Sequence, residues 1–257
     1  MEEVSILTRE NLNWNLERPS SPQGDHIARY IFAKRYVLKK LALDAGCGAA
    51  HGVYLLASDC HAVIGIDISV TALTYARRYH SGDNIEFLAQ DATNLGFKSE
   101  TFDVVLSFEV IEHLKSHRAY LREIRRVLKD GGILLISTPN KTIMSPGRRR
   151  PLWKWHHVEF YSHEFKSLLE EFFENVSMFG ETTTNPYWLA RDRKAIALHR
   201  YARIIPSVLI RLIPMKVIQA LLWNVPPVRL DEIEISEGCL DGARTFIAVC
   251  EKRGSDN

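Results

Sequence analysis

An apolar run that opens into a glycine-rich turn constrains this chain more than any other feature. Residues 41–52 read Leu-Ala-Leu-Asp-Ala-Gly-Cys-Gly-Ala-Ala-His-Gly, and a second apolar segment begins at Val53. This order predicts a buried strand, a tight turn and a helix. Gly46 and Gly48 permit positive φ and close backbone approach, while a helix N-terminus offers unpaired N–H groups. The turn is therefore a predicted binding site for a nucleotide-like ligand.

The spacing of the glycines separates two ligand classes. A dinucleotide fingerprint, G-x-G-x-x-G, places its third glycine at position 51, where this chain has His51, and Gly52 comes one residue late. Asp44, two residues before Gly46, suits a ligand with a positive ammonium group better than it suits a pyrophosphate. The turn therefore disfavours NAD.

Acidic residues also end the next two predicted strands. Asp67 closes the apolar run that begins at Ala62, and Asp91 follows the run that begins at Asn84. Because the carboxyl ends of parallel strands lie at one edge of a sheet, Asp67 can accept ribose hydroxyls there and Asp91 can reach an adenine amino group. The alternatives are a helix-capping role for Asp67 and a turn role for Asp91.

Further strands and helices are predicted downstream by the same patterns. Residues Lys129-Asp-Gly-Gly132 are expected to end a helix as a glycine cap. The predicted elements are strands Phe102–Phe108, Ile133–Pro139, Asn175–Phe179 and Arg244–Glu251, and helices Val70–His80, Ser116–Leu128 and His163–Glu171.

Taken in order, these motifs resemble those of class I S-adenosylmethionine (SAM) methyltransferases, and the resemblance covers residues 41–140. It implies an α/β, Rossmann-like sheet of seven strands with the last strand antiparallel, helices on both faces, and a helical insertion before the last strand. It implies SAM as cofactor. The implied cofactor-binding residues are Asp44, Gly46, Cys47, Gly48, Asp67, Ile68, Asp91, Ala92, Phe108 and Arg29.

A helix over His26–Val37 precedes the turn and is expected to pack over the cofactor pocket. Its His26, Arg29 and Tyr30 resemble a pattern that methyltransferases of this type use beside SAM. The alternative is the solvated face of an ordinary helix.

A cluster of acids and histidines follows the fourth strand. Glu109, Glu112 and His113 would project from one helical face, a plausible divalent-cation site for Mg²⁺ or Mn²⁺. The segment resembles one in small-RNA 2′-O-methyltransferases, which implies a further histidine ligand, here His157 with His156 as the next candidate. Without a metal, His113 and Glu112 are the candidate catalytic groups, with His113 a general base or a structural hydrogen-bonding residue.

Two basic segments have no assigned role in the cofactor motifs. Residues 146–151, Pro-Gly-Arg-Arg-Arg-Pro, form a predicted loop that could hold a phosphate. Residues 193–230 contain no acid and alternate basic and apolar positions, with prolines expected to divide them into short helices. That pattern is typical of a peripheral membrane element or a lid for a lipid-linked substrate. The alternative for both segments is a solvated basic face.

With 257 residues and 46% hydrophobic content, the chain is predicted to form one domain, 1–257, with an N-terminal arm at 1–23 and an insertion at 183–243. A net charge of +2 does not require nucleic acid. The N-terminus lacks a secretory pattern and the four cysteines lack metal-ligand spacing, so a cytoplasmic protein is expected, in possible contact with the inner membrane face.

The preferred function is O-methylation of a hydroxyl on a sugar, glycan or lipid-linked small molecule. The segments Glu17–Pro19, His26–Tyr30, Ser137–Asn140 and His157–Phe160 resemble methyltransferases of surface-glycan loci, and Glu109–Leu114 more loosely resembles those of the ubiquinone pathway. The alternatives are a metal-dependent RNA 2′-O-methyltransferase and a non-catalytic SAM-fold subunit that binds a membrane or partner. Nucleic acid is the less favoured partner.

Overall fold

A computed structural model describes residues 24–202 and 229–254. The predicted arm, residues 1–23, lies outside the described residues. Eight strands form one sheet in the order β3-β2-β1-β4-β5-β8-β6-β7. The strands are β1 (Leu41–Ala45), β2 (Ala62–Asp67), β3 (Ile85–Ala89), β4 (Phe102–Phe108), β5 (Leu128–Pro139), β6 (Asn175–Thr183), β7 (Ile233–Glu237) and β8 (Thr245–Glu251).

Seven α-helices connect and cover these strands within the described ranges. The helices are α1 (Gly24–Val37), α2 (His51–Ala57), α3 (Val70–Tyr79), α4 (His117–Val127), α5 (Lys141–Met144), α6 (Ser162–Glu170) and α7 (Pro186–Ala202). Two buried clusters fill the space between helices and sheet. One includes side chains of α1, α2 and α3, and the other includes side chains of α4 and α6. The predicted α/β fold with helices on both faces is confirmed.

Strands β1 to β5 are parallel, and their register brings the acidic residues to one edge. Asp44 on β1 is level with Gly65 on β2, and Asp67 ends β2 beside Ala89, two residues before Asp91. Strand β8 runs antiparallel to both β5 and β6. The reversed strand β8 therefore completes the sheet as predicted, and the carboxyl ends of β1 to β5 form the edge where a ligand can bind.

Two local predictions are wrong. Residues 129–132 do not cap a helix but belong to β5, where Leu128 pairs with Phe102 before a register irregularity. Residues 109–113 do not form an α-helix, since Glu109 has φ 58° and only Ile111–His113 form a single 3-10 turn. The left-handed backbone at Glu109 breaks the helical periodicity on which the expected shared face depended.

The predicted insertion contributes more than helices. Helix α7 begins it, and β7 adds an eighth strand, antiparallel to β6, at the sheet edge. The basic stretch predicted at 193–230 enters the described structure only as the end of α7 and as residues 229 and 230, and its central part, 203–228, lies outside the described residues. Among the residues that the structure describes, no helix combines the length and apolar character needed to cross a membrane.

Candidate active site

The glycine turn lies between β1 and α2 and is shaped by close packing. A Cβ on Gly46, whose φ is 91°, would overlap Val110, and one on Gly52 would overlap the ring of Tyr30. The Gly46 and Cys47 N–H groups both donate to the Ile66 carbonyl, at 2.8 and 2.9 Å. The turn therefore follows the backbone of β2 closely and leaves its outer side facing the edge of the sheet.

Asp67 ties the turn to β2. One carboxylate oxygen accepts the Gly48 N–H at 2.9 Å and the other accepts the Ser69 N–H at 2.7 Å. Ser69 in turn caps α3 by accepting the Ala72 N–H. Asp67 is thus held in place by backbone groups on both sides, and each of its oxygens keeps lone pairs for a further donor.

Asp44 lies buried beneath the turn. Its Oδ2 accepts the Tyr30 hydroxyl at 2.9 Å, and Oδ1 has no hydrogen-bond partner. Burial raises the pKa of Asp44 to about 7, against the lowering effect of the Tyr30 hydrogen bond. A buried carboxyl with an unused oxygen is suited to receive a cationic group of a ligand.

The other residues predicted to bind the cofactor lie around this edge in different environments. The side chain of Ile68 is 76% exposed directly after β2, whereas Cys47 and Phe108 are buried. Asp91 is exposed, and its Oδ1 accepts both the N–H and the hydroxyl of Thr93. Ala92, next to it, is partly buried against the core. The exposed Ile68 offers an apolar surface between the two acidic positions.

Arg29 is buried and directed to a partner that the sequence did not indicate. Its Nε and Nη2 donate to the Glu181 carboxylate on β6, at 2.7 and 3.3 Å. Its Nη1 lies 3.7 Å from Glu109 Oε1 and has no hydrogen bond. The neighbouring acids raise the pKa of Arg29 above its ordinary value despite burial. Arg29 therefore links α1, β6 and the end of β4, and only Nη1 remains for a ligand.

Tyr30, which the sequence pattern placed beside the cofactor, contacts the glycine turn directly. Its ring packs over Gly52 and lies edge-on to Phe108, with centroids 5.1 Å apart. Together with its hydrogen bond to Asp44, this contact brings α1 onto the turn. The sequence signal for this contact was Gly52, because a glycine at that position leaves room for the ring of Tyr30.

The predicted cluster after β4 divides into two parts. Glu109 turns toward Arg29 and accepts the Ser137 hydroxyl at 3.0 Å. Glu112 is buried, accepts the Thr138 hydroxyl at 3.3 Å, and has an Oε1 without a partner. Burial and the negative charge of Glu109 raise the pKa of Glu112 well above its usual value. The carboxylate form of Glu112 is therefore a stronger base than that of an exposed glutamate.

Glu112 and His113 meet His156, with one potential ligand atom from each lying within 4.8 Å of the others. His113 Nδ1 bonds to the Trp155 carbonyl at 3.0 Å, and His156 Nδ1 bonds to Glu159 at 2.9 Å. A carbonyl only accepts, so His113 Nδ1 carries the proton, and a carboxylate partner assigns His156 Nδ1 the same role. In the neutral form of each imidazole, Nε2 then keeps its lone pair.

Of the predicted Glu109, Glu112, His113 and His157, the structure brings only Glu112 and His113 together, and His156 joins them. Glu109 and His157 do not belong to the three-residue group. The backbone N–H of His157 donates to the Glu112 carbonyl at 2.7 Å, while its side chain is exposed. Glu159, fully buried with one unpartnered oxygen, is a member of this site that the sequence did not indicate.

Comparison with known proteins gives one family match. Residues 43–136 match the model of the methyltransferase domain. A "Probable S-adenosylmethionine-dependent methyltransferase" of Mycobacterium tuberculosis is 37% identical over 139 residues, which are 54% of this chain and 50% of the relative. A "Ubiquinone biosynthesis O-methyltransferase" of Chelativorans is 33% identical over 107 residues, 41% of this chain and 42% of the relative. The matches thus span about half or less of these relatives.

The fold is also similar to solved structures. A Thermotoga maritima protein described as a "SAM-dependent methyltransferase, possible histamine N-methyltransferase" superposes with a TM-score of 0.60 over 89% of each chain. The sequence identity is 15%, so this similarity concerns the fold alone.

Proposed function

The chain contains a class I SAM-dependent methyltransferase domain, and we propose that it transfers a methyl group from SAM to a hydroxyl of a small-molecule acceptor. The observation that carries this proposal is the edge of the sheet around the glycine turn. Asp44 lies near the end of β1, Asp67 ends β2, and Asp91 comes two residues after β3. These three carboxylates offer hydrogen-bond acceptors at separate positions along one extended ligand.

Each acid has a matching donor on SAM. The unpartnered Oδ1 of Asp44 would accept the ammonium group, and Asp67, already fixed by two backbone N–H groups, would accept the ribose hydroxyls. Ile68 would pack against the adenine, and Asp91, with the Ala92 backbone nearby, would accept from the adenine amino group. Arg29 Nη1 is the remaining donor on this side and would bind the ligand's carboxylate.

Methyl transfer requires orientation and removal of one proton. The acceptor oxygen attacks the methyl carbon, the carbon–sulfur bond breaks, S-adenosylhomocysteine (SAH) leaves, and the hydroxyl proton passes to a base. Glu112 and His113 are the proposed bases. Glu112 is the stronger candidate because burial raises its pKa, which makes its carboxylate a stronger base, and because its Oε1 has no hydrogen-bond partner.

The three-residue group also fits a divalent cation, which would lower the pKa of an acceptor hydroxyl bound beside it. A carboxylate oxygen and two imidazole nitrogens are suitable donors, and the Glu159–His156 pair resembles the carboxylate–histidine arrangement that supports metal ligands. This role favours His156 over His157. Titration of Mn²⁺ into the protein should give binding that His156→Ala abolishes and His157→Ala retains, and equal affinity in the two variants would exclude this site.

The proposed acceptor is a sugar, glycan or lipid-linked hydroxyl. Arg149 and Arg150 are exposed on the loop after α5, and Arg193, Lys194 and Arg200 are exposed on α7. These cations would hold a phosphate of the acceptor, and α7 would place it near a membrane surface. The similarity to a ubiquinone biosynthesis O-methyltransferase supports oxygen as the methylated atom.

The first experiment is a calorimetric titration of SAH, followed by methyl transfer from labelled SAM to lipid-linked sugars, nucleotide sugars and RNA. Labelling of a lipid or sugar fraction supports the preferred function. Labelling of RNA would establish the RNA 2′-O-methyltransferase instead. SAH binding with no labelled product would favour the non-catalytic subunit, and no SAH binding would overturn the proposal.

A further inference from the structure

The loop between α5 and α6 displays aromatic and basic side chains together. Trp153 is 43% exposed and Trp155 is 63% exposed. Arg149, Arg150 and Lys154 are exposed among them, and Lys154 Nζ lies 4.5 Å from the centre of the Trp155 ring. We call residues 148–157 the Arg-Trp loop. It places large apolar surfaces in water beside several positive charges.

The fold imposes this display. Leu152 is buried in the middle of the loop and belongs to a small cluster with Ile143 of α5 and Ala195 of α7. Its backbone N–H donates to the Ser145 hydroxyl at 2.8 Å, and the His156 N–H donates to the Trp153 carbonyl at 3.1 Å. With Leu152 anchored inward, the neighbouring Trp153 and Lys154 are directed outward.

The charge of the loop is unbalanced. From Lys141 to Val158 the sequence contains no acid. The next carboxylate, Glu159, is buried and engaged with His156. The exposed surface of the loop is therefore cationic. Exposed tryptophans between basic residues are typical of protein surfaces that bind at a membrane–water interface.

Helix α7, which packs on the base of the loop, repeats this composition. It exposes Tyr187 and Tyr201, at 67% and 63%, together with Arg193 and Lys194. The loop also contacts the proposed catalytic residues, since the Trp155 carbonyl accepts a hydrogen bond from His113 Nδ1. The aromatic and basic surface thus borders the site where the acceptor hydroxyl must arrive.

We propose that the Arg-Trp loop is the surface by which this protein contacts an anionic lipid bilayer, and that a lipid-linked acceptor reaches Glu112 and His113 along it. The second clause rests on the proposed function, whereas contact with the bilayer does not. Basic side chains would approach anionic headgroups while the indole rings enter the interfacial layer.

The test is sedimentation of the full chain with vesicles of phosphatidylcholine and phosphatidylserine, compared with phosphatidylcholine alone. Binding should require phosphatidylserine and weaken with salt. The triple variant Arg149→Gln/Arg150→Gln/Lys154→Gln should bind roughly 100-fold more weakly, on the scale expected for three cations near an anionic surface. The pair Trp153→Ala/Trp155→Ala should lose about tenfold through its missing apolar contact.

A matched control removes three exposed cations elsewhere, in Arg78→Gln/Lys98→Gln/Arg122→Gln. This variant should bind nearly as well as the unmodified chain, and an equal loss in both triple variants would overturn the proposal. A single-stranded RNA oligonucleotide that binds the loop and is not displaced by the vesicles would also overturn it, in favour of a nucleic-acid surface.

Two further measurements keep the result independent of variant folding and of the proposed function. In the unmodified chain, vesicles should slow amide hydrogen exchange in residues 148–157, and unchanged exchange there would refute the contact. SAH titration of the same samples separates the proposals, because vesicle binding without SAH binding rejects the methyltransferase function, whereas SAH binding without vesicle binding rejects only the lipid contact.

Discussion

The proposed cofactor end of this site, around Asp44 and Asp67, and the proposed acceptor end, around Glu112 and His156, are assembled differently. At the cofactor end, Asp67 and its partners Gly48 and Ser69 lie within about one strand–helix unit. At the acceptor end, His156 meets Glu112 from a segment that is distant in the sequence. Contacts between residues close in sequence position the first end, and contacts between residues distant in sequence position the second. Substitutions at the cofactor end should therefore change SAH affinity, and substitutions at the acceptor end should change Mn²⁺ affinity.

The largest effect is expected where one residue joins both ends. Arg29→Met leaves the buried Glu181 carboxylate unpaired, which should lower the free energy of unfolding by about 3–5 kcal/mol. Denaturant unfolding measures this loss. The double variant Arg29→Met/Glu181→Leu should recover much of the stability. A double variant no more stable than the single one would show that the pair is not the source.

The next effect should be confined to the cofactor end. Asp67→Ala removes the carboxylate that accepts the Gly48 and Ser69 N–H groups and that we assign to the ribose hydroxyls. The affinity for SAH should therefore fall about 100-fold, equivalent to about 2.7 kcal/mol. Mn²⁺ binding should be unchanged. Asp83→Ala, at an exposed position, is the matched control. Equal SAH affinity in both variants would contradict the assigned role.

A smaller effect should be confined to the acceptor end. Glu159→Gln keeps the shape of the side chain but removes the charge that orients His156, so Mn²⁺ affinity should fall by about tenfold or somewhat more. SAH titration should be unaffected. Loss of SAH binding in this variant would show that the two ends are not independent.

The smallest effect is a pH dependence at the cofactor end. Burial raises the pKa of Asp44 to about 7, from 3.8, so the folded chain holds a proton there that a bound ammonium group must displace. SAH affinity should therefore rise as pH increases through about 7, by roughly tenfold per unit at most below that value. Asp44→Asn should flatten this rise. A profile unchanged in the variant would assign the titration to another group.

The same proton links Asp44 to folding. Because the folded-state pKa is the higher one, its contribution to stability is fully present below pH 3.8 and is lost as pH rises toward about 7. Glu112 acts in the same direction, since its pKa is also raised by burial. Thermal unfolding of Asp44→Asn should depend less on pH across this window than unfolding of the unmodified chain.

The sequence indicated the cofactor end because its signals are local. Glycines 46 and 48 and the acids after successive strands occur at spacings set by strand, turn and helix geometry. The acceptor end gave fewer such signals. In the structure the His157 N–H donates to the Glu112 carbonyl, whereas the imidazole of His156 is the one that joins Glu112 and His113. No periodicity encodes that choice.

Other differences have equally specific causes. The helix expected over Glu109–His113 is interrupted by the left-handed conformation of Glu109, held by its backbone and side-chain bonds to Ser137. Strand β7 was not predicted because its short, half-polar sequence alternates like a solvated segment, and pairing with β6 supplies its order. In both places a partner remote in sequence decides the local conformation.

Strand β7 also affects how copies of this protein behave at high concentration. Without it, the outer side of β6 would present unpaired backbone donors and acceptors to solvent, a template on which strands of neighbouring molecules can add. Strand β7 occupies that side and in turn exposes Glu234 and Glu237 on a run of only five residues. Two such edges would repel each other through their glutamates and are too short to form a stable pair of strands. Strand β7 therefore disfavours self-association at this edge of the sheet as well as extending it.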